Sequence, residues 1–235
     1  MDMRERIESL APWHYDVEVA PGIRTGSGQD TVVAPEQRFH RVFGALYPGG
    51  LQGRSVVDCG CNCGAHLVWA KEFGAGRCFG FDGREHWIAQ GRFLAETRGV
   101  DIEFEVMDLY DFDHGDFDIA FFQGIFYHLP DPVTGLKLIA DHTRELMILN
   151  TATRNNEPDG RLVLVEENTE NPLHGIHGVA WYPSGPKVFE RLFPWLGFPF
   201  THLGYSSTDV AGQPSDVGRL EMFAARSEDL LRPLR

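Results

Sequence analysis

The chain lacks most of the features that would take it out of the ordinary globular class. No apolar run reaches the roughly 18 to 20 residues that a membrane-spanning helix needs. Met1 to Leu10 are charged and polar, so they do not read as a secretory signal, and a cytoplasmic setting is the expectation. Lysine is scarce, with 3 residues beside 18 arginines, and 34 acidic residues leave a formal charge of −13. With no basic stripe in view, that balance disfavours a nucleic-acid partner but leaves a local basic groove open. Cysteine is sparse too. Cys59, Cys61 and Cys63 alternate in one short segment and Cys78 stands apart. That spacing is too tight to staple a fold, and no second pair completes a zinc pattern, so no metal is assigned. There is no internal repeat and no low-complexity stretch.

What is present suits one large α/β domain behind an irregular leader. At 235 residues, 43% of them hydrophobic, the chain can bury a substantial core. Residues 1–50 carry Pro12, Pro21, Pro35 and Pro48 with Gly22, Gly26 and Gly28. One helix is expected there, from Pro35 to Tyr47, with Phe39, Val42, Phe43 and Leu46 at helical spacing and Pro35 in its first turn. Residues 51–235 are expected to form the main domain, in which short apolar runs alternate with helical segments as parallel βαβ units do. Strands are expected at Ser55–Asp58, Arg77–Phe81, Ile102–Met107, Phe117–Phe122 and Leu146–Leu149, and helices at Ala65–Phe73, Glu85–Thr97 and from Asp131 and Pro132 to about Asp141. A long insertion, roughly Thr151 to Pro183, reads as a substrate lid. A helix near Pro186–Leu196 and strands near Phe200–Tyr205 and Gly218–Ala224 follow. The sum is a Rossmann-like, doubly wound, seven-stranded and mostly parallel sheet with a late antiparallel strand pair.

The chemistry concentrates after the first of these strands, in Val56-Val57-Asp58-Cys59-Gly60-Cys61-Asn62-Cys63-Gly64. A buried strand ends in an acid, and a loop of small residues then opens a helix. Gly60 permits a sharp turn and Gly64 a close approach to a ligand. Asn62 is the non-glycine type that best tolerates a left-handed backbone. A dinucleotide loop, G-x-G-x-x-G, needs glycines where this chain has Asn62 and Ala65, and a pyrophosphate would meet the negative Asp58. A ligand with a cationic, amino-acid-like end suits that carboxylate better.

Further sites stand at the ends of later strands. Asp82, followed by Gly83, ends the second strand 22 residues after Gly60, where a carboxylate can accept both hydroxyls of a ribose. Asp108-Leu109 follows the third strand and Gln123-Gly124 the fourth, at the carboxyl edge where open α/β sheets bind ligands.

The loop resembles motif I of the class I S-adenosylmethionine-dependent methyltransferases. Gly124-Ile125-Phe126-Tyr127-His128-Leu129-Pro130-Asp131-Pro132 resembles a segment of the branch that includes the tRNA wobble-uridine carboxymethyl-transferring enzymes and many small-molecule methyltransferases. So do Pro12-Trp13-His14-Tyr15, Pro21 to Gly26, Ala180 to Pro183 and Leu196 to Phe198. The resemblance implies S-adenosylmethionine as donor, S-adenosylhomocysteine as product, and Asp108 near the adenine amine. It implies cofactor contacts from Asp58, Gly60, Cys61, Asn62, Gly64, Asp82, Gly83, Asp108, Leu109, Gln123 and Gly124. The tRNA enzymes carry an extended basic N-terminal region that this leader and this charge do not reproduce, so a small acceptor is expected, derived from a natural product, sugar or amino acid. Transfer to tRNA, with a carboxylated donor, is the alternative; a non-catalytic cofactor-binding partner protein is a third reading. A homodimer stays open.

An oxygen or nitrogen acceptor needs a base. His128, with Tyr127 beside it, is the first candidate, because imidazole titrates near neutral pH and the residue follows the fourth strand. A His holding the loop before the helix is the competing reading. The insertion adds Glu166, Glu167, His174, His177, Trp181 and Tyr182, and the leader adds Tyr15 and His40. Tyr15, His40, Phe126, His174, His177, Trp181 and Tyr182 are the expected acceptor contacts. His174 and His177 with a glutamate could also bind a metal, although no carboxylate stands at a fixed spacing from them.

Overall fold

A computed structural model describes residues 2–26, 32–33, 36–208 and 216–235. It divides into two compact units, Met1–Asp111 and Phe112–Arg235, and each is described by itself. The main sheet order counts seven strands, mostly parallel, with a late antiparallel pair as expected.

The first unit begins with α1 (Met3–Ser9), whose N-cap Asp2 and Glu5 form a reciprocal capping box. Short strands follow, β1 (Tyr15–Asp16), β2 (Glu18–Ala20), β3 (Ile23–Arg24) and β4 (Val32–Val33), then α2 (Glu36–Leu46). The expected place of Pro35 lies outside the described residues. Phe39, Phe43 and Leu46 form the buried face of α2, and the Phe39 and Phe43 rings stack at 4.3 Å. The parallel strands are β5 (Val56–Cys59), β6 (Cys78–Asp82) and β7 (Glu103–Val106), in that order, linked by α3 (Ala65–Glu72) and α4 (Glu85–Arg98). All four residues of β5 are buried, as a strand covered on both faces requires. The leader packs into this unit: Gln90 Nε2 donates to the carbonyls of Leu10 and Pro12, and Arg98 Nη1 to that of Glu18.

The ring of Phe104 on β7 occupies a seat that side chains would fill. A Cβ at Gly64 would lie 2.6 Å from its Cζ, one at Gly91 2.8 Å and one at Gly80 3.0 Å from its Cε1. Glycine at these positions lets helix, strand and ring close on one another.

The second unit contains β8 (Phe117–Gln123), α5 (Pro132–Asp141) and β9 (Thr143–Arg154), then β10 (Leu162–Glu166) and β11 (Val179–Pro183). It ends with α6 (Lys187–Trp195), β12 (Phe200–Ser207), β13 (Val217–Ala225) and α7 (Glu228–Leu231). Asp131 caps α5 by accepting from the Thr134 N–H, with Pro132 in the first turn. β8 and β9 are parallel, and β13 runs antiparallel between β9 and β12.

The expected insertion proves partly regular. β9 continues through Thr151, Thr153 and Arg154, because β13 pairs with it residue for residue as far as Val217 opposite Arg154. β10 and β11 form an antiparallel hairpin, Leu162 opposite Pro183 and Glu166 opposite Val179. Among the described residues no helix is long and apolar enough to cross a membrane.

Candidate active site

In the first unit, β5 delivers Asp58 into a buried position, 2% exposed. The turn after it needs positive φ at Gly60 (66°), Asn62 (50°) and Gly64 (67°), so Asn62 stands in the left-handed region where its residue type was expected. Its side chain braces the turn, since Asn62 Oδ1 accepts from the Cys63 N–H at 2.8 Å. Asp58 Oδ2 has no hydrogen-bond partner among the described residues. His66 Nδ1 on α3 is 3.7 Å from it, beyond hydrogen-bond reach. Burial pushes the Asp58 carboxyl above its usual range, and His66 only partly opposes that. Leaving a carboxylate oxygen orphaned in the interior is costly unless a cation meets it. His66 belongs to this site and the sequence reading missed it. A histidine two residues into a helix carries no distinguishing signal.

Asp82, at the end of β6, ties the loop to its neighbour. Its Oδ2 accepts from the Asn62 N–H and its Oδ1 from the Arg84 N–H, both at 3.1 Å. Each oxygen keeps lone-pair capacity for a hydroxyl donor. Burial, outweighing these bonds, pushes the group up to about 6. Asp108 Oδ1 accepts from the Tyr110 N–H and so caps the turn Leu109–Asp111, in which Leu109 is buried. Gly83 is exposed. Cys61, with Cys59 and Cys63, is buried, and burial raises all three thiols, Cys63 to about 12. All three line the loop as buried free cysteines. Tyr15 meets the His66 ring edge-on at 6.3 Å. His40 is exposed on α2, 3.8 Å from Glu36, and packs against Phe39 and Phe73. Helix periodicity turns it outward while Phe39 and Phe43 take the core.

In the second unit, Gln123 ends β8 opposite Asn150, and Gly124, at φ 78°, donates its N–H to the Asn150 carbonyl. The short turn Phe126–His128 follows. Phe126 is a correction: it is 0% exposed and meets Phe189 edge-on at 4.9 Å, so it is core rather than acceptor lining. Tyr127 and His128 lie together, ring centroids 4.0 Å apart, and Tyr182 of β11 is 5.2 Å from Tyr127. His128 Nδ1 is 2.7 Å from Glu167 Oε1. Arg219 Nη2 approaches the Tyr127 hydroxyl at 3.4 Å, and Nη1 bonds Asn150 Oδ1 at 3.2 Å. Arg154 lies over the Tyr182 ring at 4.9 Å and pairs with Asp216. Burial, with Tyr127 and Glu167, raises the Tyr182 hydroxyl to about 12 despite both arginines. Trp181 Nε1 donates to the Pro130 carbonyl at 2.9 Å. His174 Nδ1 accepts from the Asn168 N–H, and His177 is exposed. These last two histidines are thus in the loop between β10 and β11. Arg154, Arg219 and Asn150 were missed, because β13 and the extension of β9 brought them to Tyr127 and Tyr182 through register alone.

A family model described as a methyltransferase domain matches residues 56–145, from β5 into β9. Residues 56–145 thus match a methyltransferase domain, and the match begins at the strand that carries Asp58. Among curated relatives, the tRNA U34 carboxymethyltransferase of Campylobacter hominis is 34% identical over 46% of this chain and 39% of its own length. That of Pseudomonas putida is 27% identical over 83% of this chain and 59% of its own length. The chain spans about half the length of the curated relatives it matches. Of solved structures, the N-terminal domain of EvdMO1 with S-adenosylhomocysteine bound superposes with a TM-score of 0.77 at 23% identity, covering 96% of this chain and 97% of that one. Magnesium protoporphyrin IX methyltransferase from Synechocystis, with S-adenosylmethionine bound, gives 0.56 at 16% identity, covering 82% and 79%. These likenesses show the fold.

The groups of the first unit fit S-adenosylmethionine by their own chemistry. The orphaned Asp58 oxygen suits an ammonium group, and Asp82 has lone pairs for ribose hydroxyls.

Proposed function

We propose that the chain moves a methyl group, or a substituted methyl group, onto an acceptor that loses a proton to His128. The observation that supports this is the part-buried His128–Glu167 contact beside Tyr127 and Tyr182. Asp58 and Asp82 hold the donor, with Gly60, Asn62 and Gly64 shaping the loop. Bound there, S-adenosylmethionine would offer a methyl group on a cationic sulfur, with the neutral thioether S-adenosylhomocysteine as leaving group. His128 Nε2 takes the proton from the acceptor's oxygen or nitrogen as the new bond to carbon forms, so charge balances without a metal ligand set. The rings of Tyr127 and Tyr182, 5.2 Å apart, stand beside His128 as apolar surface for the acceptor.

Two acceptor classes are in contention. The relatives' names favour the uridine of a tRNA, with a carboxylated donor, and weigh more than any single feature of the fold does for a small molecule. Arg154 and Arg219, each over a tyrosine ring, are cations that a phosphodiester or carboxylate would meet. The formal charge of −13 favours a small acceptor instead. A cytoplasmic setting accompanies either reading.

Mass spectrometry of the donor that co-purifies with the protein, followed by labelled-donor assays on bulk tRNA and on a metabolite extract, separates them. Label in tRNA and a carboxylated donor support the first, and label in small molecules the second. Turnover on neither would leave a cofactor-binding partner protein as the better account. His128→Asn should lower turnover by on the order of 10²-fold. Full activity in that variant would sink the base assignment.

A further inference from the structure

We propose that Glu167 is a positioning residue that holds His128 with Nδ1 protonated, leaving Nε2 as the nitrogen that accepts the acceptor's proton. This deepens the base role given to His128 and rests on it. An ionised carboxylate can only accept, so the 2.7 Å contact from His128 Nδ1 to Glu167 Oε1 requires the proton on Nδ1. Free imidazole is under no such constraint, and a base presenting the protonated nitrogen to its substrate is inert.

The carboxylate is itself held. Its side chain is 4% exposed, and that of His128 is 15% exposed. Glu167 Oε2 accepts from the Gly175 N–H at 2.9 Å, so both oxygens are engaged. Gly175 can come that close only because it has no side chain: a Cβ there would lie 2.6 Å from the His128 carbonyl and 2.9 Å from Glu167 Oε2. Two tethers fix the backbone around the pair. The Glu167 N–H donates to the Gly178 carbonyl, closing the loop at the mouth of the β10–β11 hairpin. Trp181 of β11 bonds the Pro130 carbonyl, two residues beyond His128. The hairpin in the expected lid region therefore carries the group that aims the base, and Glu167 touches neither donor nor acceptor in this account.

The test labels the ring nitrogens of histidine with 15N in the full chain and identifies the His128 signals by their loss in His128→Gln. The expected result at mildly basic pH is a single tautomer with Nδ1–H. In Glu167→Gln that single tautomer should be lost, with the same melting temperature. In labelled-donor assays with whichever acceptor the wild type uses, kcat should fall about tenfold or more while KM for S-adenosylmethionine is unchanged. An Nε2–H tautomer in the wild type overturns the proposal even if no variant folds. Unchanged kcat in Glu167→Gln overturns it too. Full turnover in His128→Gln instead defeats the base assignment, and the tautomer reading then shows that failure to be separate.

Discussion

Replacing Asp58 by asparagine should separate what the cofactor loop does for binding from what it costs the fold. Asp58 is 2% exposed, and its Oδ2 has no hydrogen-bond partner among the described residues. An unsatisfied buried polar group costs about 1–3 kcal/mol, more when charged. His66 Nδ1, at 3.7 Å, recovers only part of that. Asparagine keeps the shape and removes the charge, so the ligand-free protein should gain about 1 kcal/mol, or roughly 2–4 °C in Tm for a chain of this size. The sign with pH follows from the carboxyl lying above its ordinary 3.8 in the folded chain. Such a group's stabilising contribution is complete below 3.8 and is lost as pH rises through the higher folded value. The advantage of Asp58→Asn should therefore be absent in acid and grow as the wild-type carboxyl ionises. Binding should move the other way. A charge-assisted hydrogen bond to an ammonium is worth about 1.5–3 kcal/mol, so affinity for S-adenosylhomocysteine should fall about 10- to 100-fold. Differential scanning fluorimetry without ligand and calorimetry with S-adenosylhomocysteine read the two effects. A lower Tm with undiminished affinity would refute the reasoning, because the carboxylate would then serve the fold and not the ligand.

Three other perturbations follow from the same geometry. Asp82, pushed up to about 6, should lose hydroxyl-accepting capacity as pH falls below that value. S-adenosylhomocysteine affinity measured between about pH 5 and 7.5 should weaken on the acid side in wild type and flatten in Asp82→Asn; an identical slope in both would be fatal to the assignment. Gly64→Ala places a Cβ 2.6 Å from Phe104 Cζ at a φ of +67°, and should cost about 1–3 kcal/mol by denaturant unfolding. Pairing it with Phe104→Leu should recover part of that loss, and strict additivity would show that the ring is not the obstacle. Trp181→Phe removes the bond to the Pro130 carbonyl and should cost about 0.5–1.5 kcal/mol. Hydrogen exchange should rise at residues 126–131, and no change there would mean the tether is idle.

The parts of the site that were legible in the sequence share one property: each is local. The loop from Asp58 to Gly64 has its geometry written in residue types, since Gly60, Asn62 and Gly64 are what three positive φ values demand. Asp82 and Asp108 sit directly at strand ends, and Asp131-Pro132 is a helix start by cap chemistry alone. Phe126 misled for a reason of the same kind: residue type suggested ligand contact, while Phe189 took the ring into the core. The lid region was located by its length and residue content, but its hairpin was not. β10 is only five residues, and Leu164 is 55% exposed, so no clean alternation marks it.

By itself, the sequence determined the α/β class, the alternation of the main strands and helices, the Asp58–Gly64 loop and the acids near the strand ends. Those follow from backbone conformational preference and short-range spacing, which act over a few residues. Tertiary structure alone decided that Glu167 meets His128 across 39 positions and that Arg219 reaches Tyr127 across 92. It also decided that Asp58 keeps one oxygen buried without a partner. Contacts of that range depend on strand register and burial, quantities that no local pattern encodes. The Asp58–Gly64 loop could therefore be read from the chain, whereas the cluster around His128 had to be folded to be seen.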